Sequence, residues 1–135
     1  MSHHAVLEHT GEIVIRMEGA TPAEVLIEAA RALGELQAGS IAPTGERGRC
    51  EVRVEAPDRE ALLVEWLNEI VFRSETERWA PDAGEMLACE DTTAHAILEG
   101  PKLTAAPALV KAATHHRLVF RPGPRGWEAE VVLDV

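Results

Sequence analysis

Cysteine, lysine and aspartate are scarce: the 135 residues hold two, two and four of them. Two cysteines, Cys50 and Cys89, cannot build a disulfide framework. Each sits in a strand-like stretch and reads as a buried free thiol. No apolar run approaches the ~18–20 residues that span a bilayer. The opening Met1-Ser2-His3-His4-Ala5 lacks the basic-then-apolar plan of a secretory signal, so a cytoplasmic protein away from membranes is expected. There is no Gly-x-Ser-x-Gly, no phosphate-binding glycine loop, no Cys-x-x-Cys and no His-Glu-x-x-His. Nucleophilic and zinc-hydrolase chemistry therefore have no motif to rest on. Repeats, low-complexity tracts and linkers are missing too.

What is present fits one domain over residues 1–135. Apolar residues make up 46%, too many for a disordered chain and enough for one core. The 23 Asp+Glu against 13 Lys+Arg give a formal net charge of −10. That argues against direct binding of a nucleic-acid backbone, which needs a cationic surface. A basic protein or a divalent cation remains a fitting partner. Arginine outnumbers lysine 11 to 2 and glutamate outnumbers aspartate 19 to 4, so each lysine and aspartate is worth inspecting.

Glu12 to Glu18 has the period of a strand, with Ile13, Ile15 and Met17 on one face. Thr21 as N-cap, Pro22 at the first helical position and Glu24 as capping-box partner then open a helix. Val25, Leu26, Ala29, Ala30, Leu33 and Leu36 form its stripe, and Gly39 stops it. Ile41 to Gly48 reads as a turn-rich connection. Cys50 to Glu55 alternates as a strand. Asp58 caps a second helix striped by Leu62, Leu63, Trp66, Leu67, Ile70 and Val71, ending near Ser74. Further strands are predicted over Glu85–Glu90, Ala94–Glu99 and Ala108–His116. Leu118–Arg121 and Trp127–Val135 flank a hairpin loop at Pro122–Gly126. The order is β-α-β-α followed by a β-rich half. It implies an α+β fold with a mixed sheet and two helices packed on one face.

Asp134 lies beside the chain's terminal carboxylate on Val135, and two such anions are ready oxygen ligands for a hard cation. A solvated tail is the plain alternative. Lys111 sits mid-strand and must emerge on a solvent or cleft face. Alternation would put it on the face of Ala113 and His115. Glu65 and Glu69 stack as like charges on the second helix, and Glu69 can pair with Arg73. His115 and His116 are adjacent on a strand, point to opposite faces and cannot chelate one ion in regular geometry. The plain reading of the six histidines is solvated or packing side chains.

Five segments carry a family resemblance. They are His9-Thr10-Gly11-Glu12-Ile13, Leu62-Leu63-Val64-Glu65-Trp66-Leu67-Asn68-Glu69-Ile70, Ser74-Glu75-Thr76-Glu77, Val110-Lys111-Ala112-Ala113-Thr114-His115-His116, and Val132-Leu133-Asp134-Val135. In this order and over nearly the whole length, they resemble the motifs of the archeases, protein cofactors of RtcB-type RNA ligases. The resemblance implies a non-catalytic protein that promotes guanylylation and multiple turnover of a ligase acting in tRNA splicing or RNA repair. It implies a divalent metal, Ca²⁺ or the geometrically stricter Mg²⁺, held by Glu12, Asp134 and Val135. It assigns ligase activation to Lys111, with Glu69 and His116 from the matched motifs. Three positions depart from the family. Glu12 and Glu75 stand for Asp, and His115 stands for Tyr; the extra methylene moves the Glu12 carboxylate by up to ~1.5 Å. A small metal-dependent hydrolase using Glu12, Asp134 and His116 around a catalytic water, and a generic chaperone-like interaction module without a metal role, are the rival readings.

Overall fold

The chain runs β1 (His3–His9), β2 (Glu12–Gly19), α1 (Pro22–Ala38), β3 (Pro43–Glu55), α2 (Arg59–Glu77), β4 (Ala83–Cys89), β5 (Thr93–Leu103), β6 (Ala112–Ala113), β7 (Val119–Gly123) and β8 (Gly126–Asp134). The computed structural model describes residues 2–9 and 11–135. Met1 and Thr10, both in segments singled out above, lie outside the described residues, as does the side chain of His9.

Local chemistry accounts for both helices. Thr21 Oγ1 accepts from Glu24 N, Pro22 occupies the first position, and Gly39 closes α1 with φ 47° and its N–H on Glu35 O. That φ is one glycine adopts at little cost. Asp58 caps α2 by accepting from Ala61 N. The α2 helix runs one turn beyond the expected end, to Glu77, because Ser74 Oγ and Ser74 O are both engaged by Trp79 and Arg78 at the cap.

The α+β class is as the sequence implies, but the mixed sheet is not formed. Every ladder is antiparallel, and the strands divide into two sheets. One has the order β1-β2-β8-β6, with β7 also on β8; the other is β3-β5-β4. No parallel pair forms: β3, which follows α1, pairs antiparallel with β5. Both helices pack on the first sheet and also reach the second. The α1 helix touches β1 and β2 of the first sheet and β4 of the second, and α2 touches β3 as well as β6 and β7. Apolar side chains from both sheets and both helices meet in one core cluster. Trp66 is buried in it and donates Nε1–H to Leu26 O at 2.8 Å, fixing α2 on α1.

Three segments differ from the sequence reading. Strand β1 has no counterpart in it, since its seven residues hold little apolar pattern and form a sheet edge. The turn-rich connection is instead the start of β3, which pairs with β5 through an irregularity between Pro43 and Arg47. The strand expected over Ala108–His116 shrinks to Ala112–Ala113. Helix side chains intercept its backbone: Gln37 Oε1 accepts from Val110 N at 3.4 Å and Asn68 Oδ1 from Ala113 N at 2.7 Å. The expected shared face is lost with it. Ala113 faces the core, whereas Lys111 and His115 are exposed.

Cys50 is buried and Cys89 half-buried, and both are free thiols. Burial pushes both thiol pKa values up, which keeps them protonated and poorly reactive.

Candidate functional site

The first and last matched motifs are joined by strand register. Opposite one another on β2 and β8 stand Ile13 and Leu133, Ile15 and Val131, and Met17 and Ala129. All six are buried. A one-residue slip would turn all six away from the core cluster, so the register is strongly specified. The same register sets Glu12 directly opposite Asp134. Directly opposed residues share a face, with Cβ atoms about 4.5–5.5 Å apart. The face is the one away from Ile13 and Leu133, and Asp134 is exposed on it. Val135 follows immediately.

The Lys111 segment is attached to this edge from the other side. Ala112 pairs with Asp134. Lys111 N donates to Asp134 O at 2.9 Å, and Thr114 N to Val132 O at 3.0 Å. The side chain of Lys111 is exposed. Sequence reasoning passed over Asn68, whose carbonyl oxygen ties this segment to α2 through Ala113 N. Its signal was a neutral amide interrupting a helical stripe, a group suited to satisfying backbone that has left its ladder.

Glu69 and His116 are placed differently. Glu69 Oε2 accepts from Arg73 Nε at 2.9 Å, and Arg73 also reaches Cys50 Sγ and Glu77. The Arg73 guanidinium thus bridges α2 to β3. His116 is exposed beyond β6, its N–H facing Thr114 Oγ1 at 3.4 Å, and Arg117 turns the chain with φ 50°. Glu12, Lys111, Asp134 and Val135 therefore share one edge, whereas Glu69 is engaged in its own ion pair.

Among the described residues, no group of three His, Cys, Asp or Glu side chains is placed to hold an ion. The set expected from the sequence differs in kind: two carboxylate side chains and the main-chain carboxylate of Val135. Such an all-oxygen set suits Ca²⁺, whose geometry is permissive and which fills remaining positions with water.

A second polar cluster lies on the opposite end of β2. His4, from β1, is held by Glu28 and by Glu35 Oε2 at 3.0 Å on α1, so it is neither solvated nor simply packed. Glu28 is buried and also accepts from Ser2 Oγ at 2.8 Å and Arg31 Nη1 at 3.2 Å.

The fold defines an α+β protein of two antiparallel sheets joined by two helices, with an acidic strand edge at the paired ends of β2 and β8. Solved structures share it. An archease of Thermotoga maritima, described as a possible chaperone, superposes with a TM-score of 0.67 at 22% identity, covering 96% of this chain and 94% of its own. Protein 1598 of Methanobacterium thermoautotrophicum gives 0.65 at 23%, with 98% of each chain covered. The sequence profile of the archease protein family matches residues 4–135. Protein archease of Methanosarcina mazei is 31% identical over 137 residues, 96% of this chain and 93% of the relative. Protein archease of Methanopyrus kandleri is 30% identical over 138, with 96% of each covered. This chain belongs to the archease family.

Proposed function

We propose that this protein is a non-catalytic activator of an RtcB-type RNA ligase, promoting the ligase's guanylylation and multiple turnover. In this reading it holds a divalent cation with Glu12, Asp134 and the carboxylate of Val135, and Lys111 acts on the ligase. The observation that carries the reading is the pairing of Glu12 with Asp134 beside the exposed Lys111.

A divalent cation, when bound, supplies charge neutralisation for phosphate groups. The protein's residues supply the rest. The rigid β2–β8 ladder orients the two carboxylates. The main-chain bond from Lys111 to Asp134 keeps the Lys111 backbone beside Asp134. A compact ammonium approaches a phosphate or carboxylate as a point charge, unlike the arginines used elsewhere in the chain. The net charge of −10 complements a ligase cleft that must be cationic to bind RNA and nucleotide, and it disfavours direct contact with RNA.

The hydrolase reading requires the His116 imidazole beside Glu12 and Asp134. Turnover of phosphoesters by the isolated protein would favour it, whereas an effect seen only with the ligase present would favour the activator. No helix of the described residues is long and apolar enough to cross a membrane. Two free thiols accord with a reducing compartment, and we place the protein in the cytoplasm.

The test is a guanylylation time course of the same organism's RtcB-type ligase with and without this protein. The expected result is faster and more complete guanylylation in its presence. Identical courses at several protein-to-ligase ratios would defeat the reading.

A further inference from the structure

Helix α2 buries its large apolar side chains with one exception. From Leu62 to Val71 each is at most 5% exposed, whereas Phe72 is 59% exposed. The chain has three tryptophans, two phenylalanines and no tyrosine, so an aromatic ring is scarce here. Trp66, Trp79 and Phe120 are buried. Trp127 meets Phe120 edge-on at 6.1 Å and is covered by the Arg59 guanidinium at 4.3 Å. Phe72 is thus the one aromatic ring, among the described residues, left largely in water.

Its surroundings are ordered by the helical repeat. Glu65, Asn68, Glu69, Glu75 and Thr76 stand seven, four and three residues before it and three and four after it, on the same face. Glu65 and Glu75 are exposed. Neither is in an ion pair among the described residues, whereas Glu69 is neutralised by Arg73. The ring therefore has an acidic rim. Asn68, one turn away, holds Ala113 N–H, and the neighbours of Ala113 are bonded to Asp134. The ring thus stands one helical turn from the residue that ties α2 to the Lys111 segment.

We propose that Phe72 and its glutamate rim form the docking surface for the ligase, with the ring entering an apolar pocket on a basic protein surface. The inference rests on the function proposed above and adds where the partner seats. An aromatic anchor inside a charged rim is the arrangement that concentrates binding energy, while the rim selects and steers the partner. A second copy of this chain fits less well, because a two-fold contact would bring the glutamate rim of one copy against the same acidic rim of the other, on a protein of net charge −10.

The test compares wild type, Phe72→Ser and the Glu65→Lys/Glu75→Lys double variant, with thermal melts as a fold control. Each is titrated into the same organism's RtcB-type ligase, reading both direct binding and guanylylation. Phe72→Ser should melt close to wild type, because the side chain is largely exposed. It should raise the concentration for half-maximal binding and activation roughly tenfold or more, while activation at saturation is retained. The double variant should bind more weakly and with a smaller salt dependence. An unchanged half-maximal concentration for Phe72→Ser overturns the docking surface and leaves the activator reading intact. If wild type binds the ligase without activating it and Phe72→Ser binds more weakly, the docking surface stands and the activator reading falls. If wild type neither binds nor activates, both fall. If sedimentation shows a wild-type dimer that Phe72→Ser turns into monomer, the surface belongs to a second copy and the proposal is overturned.

Discussion

His4 offers a stability prediction that depends on pH. Its imidazole is only 13% exposed and lies between Glu28 and Glu35, with Nε2 at 3.0 Å from Glu35 Oε2. Burial alone would pull its pKa down. Hydrogen bonds to Glu28 and Glu35 and the charges of both outweigh that, and the net shift is upward. For Glu28, burial pushes up, but bonds from His4 and Ser2 and the charge of Arg31 prevail, and its pKa is lowered. A raised histidine contributes stability that is complete below its unfolded value of about 6.5 and is lost as pH rises through the folded value. A lowered glutamate contributes stability that is complete above its unfolded value of about 4.3 and is lost as pH falls through the folded value. The clamp therefore holds β1 to α1 most strongly between those two unfolded values. Glu35 is 65% exposed, so its share is small. The Glu28 carboxylate is 3% exposed, and hydrogen bonds to charged groups contribute about 1.5–3 kcal/mol each. Ser2 and Arg31 remain after His4→Ala, so the expected loss is about 2 kcal/mol near pH 6. For a domain of this size that is roughly 8 °C in Tm. The assay is thermal melting of wild type and His4→Ala from about pH 5 to pH 9. The gap between them should be widest at the acid end and narrow towards the alkaline end. A gap that is constant across the range, or that widens upward, would refute the charged clamp.

Two further predictions concern the candidate site. Calorimetric titration should show Ca²⁺ binding by wild type that Asp134→Ala weakens by tenfold or more, with Mg²⁺ bound less well; unchanged affinity would remove the site. Lys111→Ala should abolish ligase activation while stability changes by under about 0.5 kcal/mol, since the side chain is exposed. Full activation by that variant would make Lys111 an ordinary surface lysine, and rescue by Lys111→Arg would show that charge alone suffices.

The parts of the fold legible in the sequence are those set by neighbours in the chain. Thr21, Pro22 and Gly39 delimit α1 through capping chemistry that spans only a few residues. The alternation from Glu12 to Glu18 reappears as β2. What failed depends on distant partners. Pro43 to Gly48 looks like a turn until β5 arrives to pair with it. Ala108 to His116 looks like a strand until Gln37 and Asn68, from two helices, take its N–H groups. The candidate site divides in the same way. Glu12, Lys111 and Asp134 were visible as matched motifs and scarce residue types, but their common edge is a consequence of register between opposite ends of the chain. Asn68 and His4 were not singled out, because each acts on a group that only the folded chain brings near.

If, as proposed, this protein acts through a ligase, it has no ligation activity alone. The most direct measurement is a multiple-turnover ligation assay with RNA ends bearing a 2′,3′-cyclic phosphate and a 5′-hydroxyl. It uses the same organism's RtcB-type ligase, this protein, or both. No product is expected from this protein alone, limited product from the ligase alone, and sustained turnover from the two together. Equal turnover by the ligase with and without this protein, at several ratios, would contradict the proposal.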